Sequence, residues 1–195
     1  MTNLNDIPRG YAMTGKLNLR ADKTEYRRWN LFSFALGLGL LAVGWCLWSF
    51  DGLRALYEAG FAVYGLRIAL LALGLLGCAQ LYQLARAAFL RLLGGQPPCW
   101  RRQGLLWIPG SYAYFPRLRF VLLTLAPLLL WAAALAALCA LVPADWRWNA
   151  YLLLVFHIAG NLAALHAARH VLRAPKTALL RTTGVQTLIF TEVPQ

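Results

Sequence analysis

Chemistry in this chain would have to come from a small set of side chains: His157, His166 and His170, with Tyr82, Gln83, Arg86 and Asn161 in otherwise apolar surroundings. His166 and His170 are four apart, a spacing that puts two imidazoles on one helix face and supplies two ligands of a metal site. Completing such a site takes ligands from another helix or from the tail. The cysteines Cys46, Cys78, Cys99 and Cys139 have neither knuckle nor disulfide-scaffold spacing and read as free thiols. Every acidic residue (Asp6, Asp22, Glu25, Asp51, Glu58, Asp145, Glu192) lies outside the long apolar stretches. His157 precedes His170 by thirteen positions and points well away from it. The sequence therefore assigns no metal and no cofactor, and His157 and Asn161 read as hydrogen-bonded within a helical bundle.

The elements that position these residues follow from composition. The chain has 195 residues, 60% hydrophobic and 13% charged, with a mean hydropathy of +0.54, more apolar surface than a soluble core of this size can hide. A helix needs about 20 mostly apolar residues to cross a bilayer core. Four stretches qualify, at about 30–50, 66–93, 120–142 and 150–171. The first and third contain no charge. The second starts near Arg67, holds Gln80 and Gln83 and ends in an amphipathic extension, and the fourth carries His157, Asn161 and His166. The fold class expected is all-α: a polytopic membrane protein with four transmembrane helices and a small cytoplasmic β-containing cap, forming a single membrane domain over 1–195.

Charge orients the chain. Arg9, Lys16, Arg20, Lys23, Arg27 and Arg28 precede the first stretch; Arg86 and Arg91 in the extension of the second, with Arg101, Arg102, Arg117 and Arg119, come between its apolar part and the third; Arg169, Arg173, Lys176 and Arg181 follow or close the fourth. That leaves only Arg54, Arg67 and Arg147 on the opposite side. By the positive-inside bias, the N-terminal segment 1–29, the loop 94–119 and the tail 172–195 face the cytoplasm. His166 and His170 then lie near the cytoplasmic interface beside Arg169 and Arg173. The net charge of +12 serves orientation and contact with anionic headgroups, so the partner implied is the lipid bilayer and no nucleic acid. Most tryptophans flank the apolar stretches, as interfacial anchors do. The first apolar run is too long for a signal-peptide core.

Between the helices the sequence predicts short elements. Lys16-Leu17-Asn18-Leu19-Arg20 alternates as a strand would, residues 51–60 form an external turn, and Thr187 to Thr191 reads as a terminal strand. In the middle loop, Leu105 to Ile108, a Pro109-Gly110 turn and Ser111 to Phe115 are predicted to form a hairpin at the membrane surface. Pro127 should bend the third helix, and Pro175 should end the fourth helical region.

Four features in this order carry a family resemblance: the apolar helix from 82 ending in Gly94-Gly95, the aromatic cytoplasmic hairpin, Ala126-Pro127-Leu128 in the third stretch, and Ala174-Pro175-Lys176-Thr177-Ala178 after the fourth. The chain resembles the zincin peptidase family of small bacterial membrane proteins, similar in appearance to site-2-type intramembrane metallopeptidases. The resemblance implies a multi-pass protein of the bacterial inner membrane with both termini cytoplasmic. It also implies a His-Glu-x-x-His motif on the second helix, where two histidines grip zinc and the glutamate takes a proton from bound water, with a later acidic ligand. At those positions this chain has Tyr82, Gln83 and Arg86, and Ala164 near the acidic one. Tyrosine is a poor metal ligand at neutral pH, glutamine cannot act as a base, and arginine has no lone pair to give.

The implied function is a non-catalytic, peptidase-like membrane scaffold that binds another membrane protein. Two readings of the motif positions stay open: structural filling, with Arg86 snorkelling to headgroups, or a polar cleft of Tyr82, Gln83, Arg86, His157, Asn161 and His166 that binds without cutting. The alternative function is a membrane enzyme with a divergent site built from those same six residues. Small residues, including Gly37, Gly39, Gly44 and Ala132 to Ala134, suit helix packing within the chain or against a partner.

Overall fold

Asp22 starts the first helix: its Oδ1 accepts hydrogen bonds from the amides of Thr24 and Glu25 at 2.9 and 3.1 Å, satisfying donors that a helix N-terminus leaves without partners. In the computed structural model, which describes residues 7–18, 22–48 and 60–192, helix α1 (Lys23–Leu47) therefore begins before the apolar run does. Helix α2 (Phe61–Gly94) is similarly extended and takes in Arg67, whose guanidinium donates to the Asp145 carbonyl at 2.7 Å and stacks 4.8 Å over the Trp146 ring. Its 34 residues reach about 51 Å at 1.5 Å per residue, well beyond a hydrocarbon core of about 30 Å. Helix α3 (Arg117–Leu141) runs through Pro127 without losing its helical assignment.

The fourth apolar stretch is two helices where the sequence predicts one. Helix α4 (Ala144–Gly160) stops at Asn161, and α5 (Leu162–Arg173) restarts after it. The cause is local. Asn161 Nδ2 donates to the His157 carbonyl at 2.8 Å, taking the acceptor that its own amide would use in an unbroken helix, and that amide turns to Ile158 O at 3.4 Å.

Lys23–Leu47, Phe61–Gly94, Arg117–Leu141 and Ala144–Arg173 are long and apolar enough to cross a membrane. Their outward residues fit that environment: Leu31, Phe34, Leu47, Leu66, Leu73, Leu129, Leu130 and Leu141 are all at least 60% exposed, a surface that water would not tolerate.

Six strands accompany the helices among the described residues. Strands β1 (Tyr11–Leu17), β4 (Phe115–Pro116), β5 (Leu179–Thr182) and β6 (Thr187–Glu192) form an antiparallel sheet in the order β1-β6-β5-β4. The terminal strand stands where alternation predicts it. The N-terminal strand lies earlier than predicted and includes Lys16 and Leu17; Leu19 and Arg20 lie outside the described residues, as do 51–59 of the predicted external turn.

The predicted hairpin is corrected in register. Strands β2 (Cys99–Gln103) and β3 (Leu106–Gly110) pair with Gln103 opposite Leu106 and Cys99 opposite Gly110. The turn is therefore Gly104-Leu105, and Pro109-Gly110 closes a strand. Gly104 has φ +62° at the first loop position, where a type II′ hairpin requires a residue without a β-carbon.

The chain divides into two compact units. The first comprises Met1–Tyr26, Gln80–Pro127 and Ala163–Gln195. Its core joins Leu90 of α2, Phe120 and Leu123 of α3, Val171 of α5, Leu180 of β5 and Phe115 of β4, each 1% exposed or less. The second comprises Arg27–Ala79 and Leu128–Leu162. There Trp148, Tyr151 and Val155 of α4 and Cys139 of α3 pack with Leu40 and Leu41 of α1.

Candidate functional site

Helical spacing puts Tyr82 and Arg86 on one face of α2, and the structure places that face in the first unit. Tyr82 is buried, 4% exposed. Arg86 is half-buried, and its Nη2 lies 3.5 Å from Thr182 Oγ1, a long donor contact to the last residue of β5. Thr182 is itself buried, and its hydroxyl also accepts the Gly184 amide at 3.2 Å. The guanidinium thus lies within reach of the end of β5. Gln83 is half-buried, and its Oε1 is shielded from solvent without a hydrogen-bond partner.

His166 and Ala164 belong to the same unit, on α5. His166 is buried and its ring centroid lies 4.4 Å from that of His170, the face-sharing that their spacing predicts. Ala164 is half-buried. A methyl group has no lone pair to offer a cation.

His157 and Asn161 belong to the second unit, on α4 and at its end. His157 is buried; its Nε2 lies 3.2 Å from the Leu128 carbonyl of α3, and Asn161 Nδ2 lies 3.3 Å from its Nδ1. A carbonyl only accepts, so Nε2 carries the proton and Nδ1 accepts from the asparagine amide. Both imidazole nitrogens are thereby engaged, in the hydrogen-bonding role that the sequence predicts for this pair.

Of the six residues of the predicted cleft, Tyr82, Gln83, Arg86 and His166 belong to the first unit and His157 and Asn161 to the second. Among the described residues, no group of three or more His, Cys, Asp or Glu side chains could hold a metal ion.

Two polar residues that the motif reading does not single out have defined roles. Thr182 offers Arg86 an acceptor hydroxyl at 3.5 Å. Gln80 bonds the main chain of Trp107 from both ends of its amide: Trp107 N donates to Oε1 at 3.1 Å, and Nε2 donates to Trp107 O at 3.4 Å. The side chain thus occupies the place of a neighbouring strand beside β3. A polar amide within an apolar helix is the sequence signal for such a partner, although it does not say which segment the amide meets. No protein-family model matches the chain, and comparison with curated proteins and with solved structures gives no match.

Proposed function

We propose that the chain is a non-catalytic integral membrane protein, built on the plan of a membrane zinc peptidase, that binds and stabilises another membrane protein in the bacterial inner membrane, with both termini in the cytoplasm. The observation that carries the reading is Arg86. In the position of the second zinc-ligating histidine stands a half-buried cation directed at Thr182, and a fixed positive charge opposes a divalent cation at the same place. Gln83, in the position of the catalytic glutamate, retains an acceptor oxygen without the basicity to deprotonate water. What remains is a polar helix face suited to holding a backbone or side-chain group.

The test joins two measurements on native membranes: crosslinking followed by identification of bound membrane proteins, and metal content of the same preparation. A discrete partner that is lost in Arg86→Ala or Gln83→Ala, without stoichiometric zinc, supports the proposal. Stoichiometric zinc together with hydrolysis that chelation abolishes overturns it. The peptidase plan is tested separately by combining Tyr82→His, Gln83→Glu, Arg86→His and Ala164→Asp. If the plan is correct, the folded variant acquires one tightly bound zinc; a folded variant that binds none refutes it.

A further inference from the structure

Among the described residues, the β2–β3 hairpin presents a face that is covered at its base, where Pro109 is buried, and exposed toward its tip. In an antiparallel pair, directly opposed residues share a face, and alternate residues along a strand do too. The register sets Trp100 opposite Pro109 and Arg102 opposite Trp107, so Trp100, Arg102 and Trp107 stand together on one side. Trp100 is 39% exposed and Trp107 51%, and Arg101 and Arg102 are exposed. At the tip, Leu105 is 76% exposed.

The far end of this finger is open while its base and flank are held. The Ser111 amide donates to the Thr182 carbonyl at 2.8 Å, fixing the chain just beyond β3 to the end of β5. Gln80 clamps Trp107 to α2 through the two main-chain bonds. Arg102 Nε donates to the Gly104 carbonyl at 3.2 Å, which steadies the guanidinium beside the turn. The display is thus ordered before any ligand arrives.

We infer that the hairpin face formed by Trp100, Arg102, Trp107 and the Leu105 tip docks on anionic phospholipid headgroups. Three observations select that occupant. The chain has no Asp or Glu from residue 59 through residue 144, so no acidic neighbour in this long segment neutralises Arg102. Indole and guanidinium side by side match the headgroup layer, where an amphipathic ring sits at the apolar boundary and a fork of donors meets phosphate. The finger is stitched to α2, a helix long and apolar enough to cross a membrane, so a bilayer is close to it wherever this chain is inserted. The inference stands apart from the peptidase plan, because none of these residues belongs to that motif.

Amide hydrogen exchange on the full-length protein decides the matter, in nanodiscs of phosphatidylcholine alone and of phosphatidylcholine with phosphatidylglycerol. Residues 99–110 become more protected in the anionic lipid, and added salt reverses the gain. Arg102→Gln reduces that gain by about fivefold, the factor matching roughly 1 kcal/mol per basic residue near an anionic surface, and Arg101→Gln, on the other face of the ribbon, reduces it less. Leu105→Asp abolishes it through the tip alone. Exchange in β5 and β6 serves as the control that each variant is folded. Equal protection in both lipids overturns the inference, as does protection that Arg102→Gln retains in full. Protection found only in native membranes and absent from both nanodiscs also overturns it and assigns the face to a protein.

Discussion

Replacing Gly44 by alanine should loosen the second unit, whereas the same exchange at Gly39 should not. Both glycines lie in α1. A β-carbon at Gly44 falls onto the Tyr151 ring, 2.9 Å from Cδ1 and nearer still to Cε1, while one at Gly39 meets nothing within 4 Å. The ring has little room to yield. Its hydroxyl donates to the Leu40 carbonyl, and Trp48 and Trp148 sit edge-on to it at centroid distances of 5.0 and 6.0 Å. Forcing a methyl into such packing costs about 1–3 kcal/mol, while replacing a helical glycine by alanine returns roughly 1 kcal/mol of backbone entropy. Gly44→Ala should thus be destabilised by up to about 2 kcal/mol, and Gly39→Ala unchanged or stabilised by up to about 1 kcal/mol. Reversible unfolding in mixed micelles, followed by tryptophan fluorescence, ranks the two variants. Repeating Gly44→Ala in a Tyr151→Leu background removes the ring, so most of the penalty should vanish. Equal stability of the two single variants, or a Gly44→Ala penalty that survives Tyr151→Leu, would refute the packing argument.

Three further outcomes follow from individual contacts. Thr182→Val keeps the shape of the side chain but removes the acceptor shared by Arg86 and the Gly184 amide, so it should cost about 1–3 kcal/mol, read as a lower thermal midpoint; an unchanged midpoint would show that the Arg86 contact contributes little. Asn161→Ala frees the His157 carbonyl for the main-chain amide of residue 161, which should join α4 to α5 and slow amide exchange across 161–165; unchanged exchange would place the cause of the break elsewhere. The Tyr11 hydroxyl lies 3.2 Å from both Glu192 Oε1 and the Thr177 carbonyl, and burial together with the Glu192 carboxylate raises its pKa above the ordinary tyrosine value. The fold favours the protonated phenol, so this contribution is complete below about pH 10 and is lost as pH rises through the higher folded value. Proteolysis of the N-terminal strand should accelerate in strong base, and Tyr11→Phe should flatten that dependence; identical profiles would disprove the linkage.

The apolar helices were legible because span length is set by the bilayer and written in uninterrupted Leu, Ala, Val and Phe. Their ends were less so, since a cap such as Asp22 or a strand joined directly to a helix at Phe115-Pro116-Arg117 extends helical geometry beyond the hydrophobic signal. The hairpin illustrates a different difficulty. Pro109-Gly110 is the stronger turn dipeptide by composition, yet Gly104 supplies the positive φ and the strand register follows from it. Composition ranks turns one at a time, whereas pairing between Cys99–Gln103 and Leu106–Gly110 selects the turn that lets both strands bond.

The polar residues divide along the same line. His157 with Asn161 and His166 with His170 are i, i+4 pairs, so helix geometry alone brings each together, and the structure has both contacts. Arg86 and Gln80 find their partners 96 and 27 residues away, in Thr182 and Trp107, and no local pattern encodes such distances. That difference bears on function. A snorkelling Arg86 would report only the depth of a helix end, whereas an Arg86 within reach of Thr182 brings its face of α2 against β5. Exchanging Arg86 for methionine, which keeps most of the side-chain bulk without the charge, therefore separates the two roles. Retained stability with a lost partner identifies a binding surface, and lost stability with a retained partner identifies a structural strut.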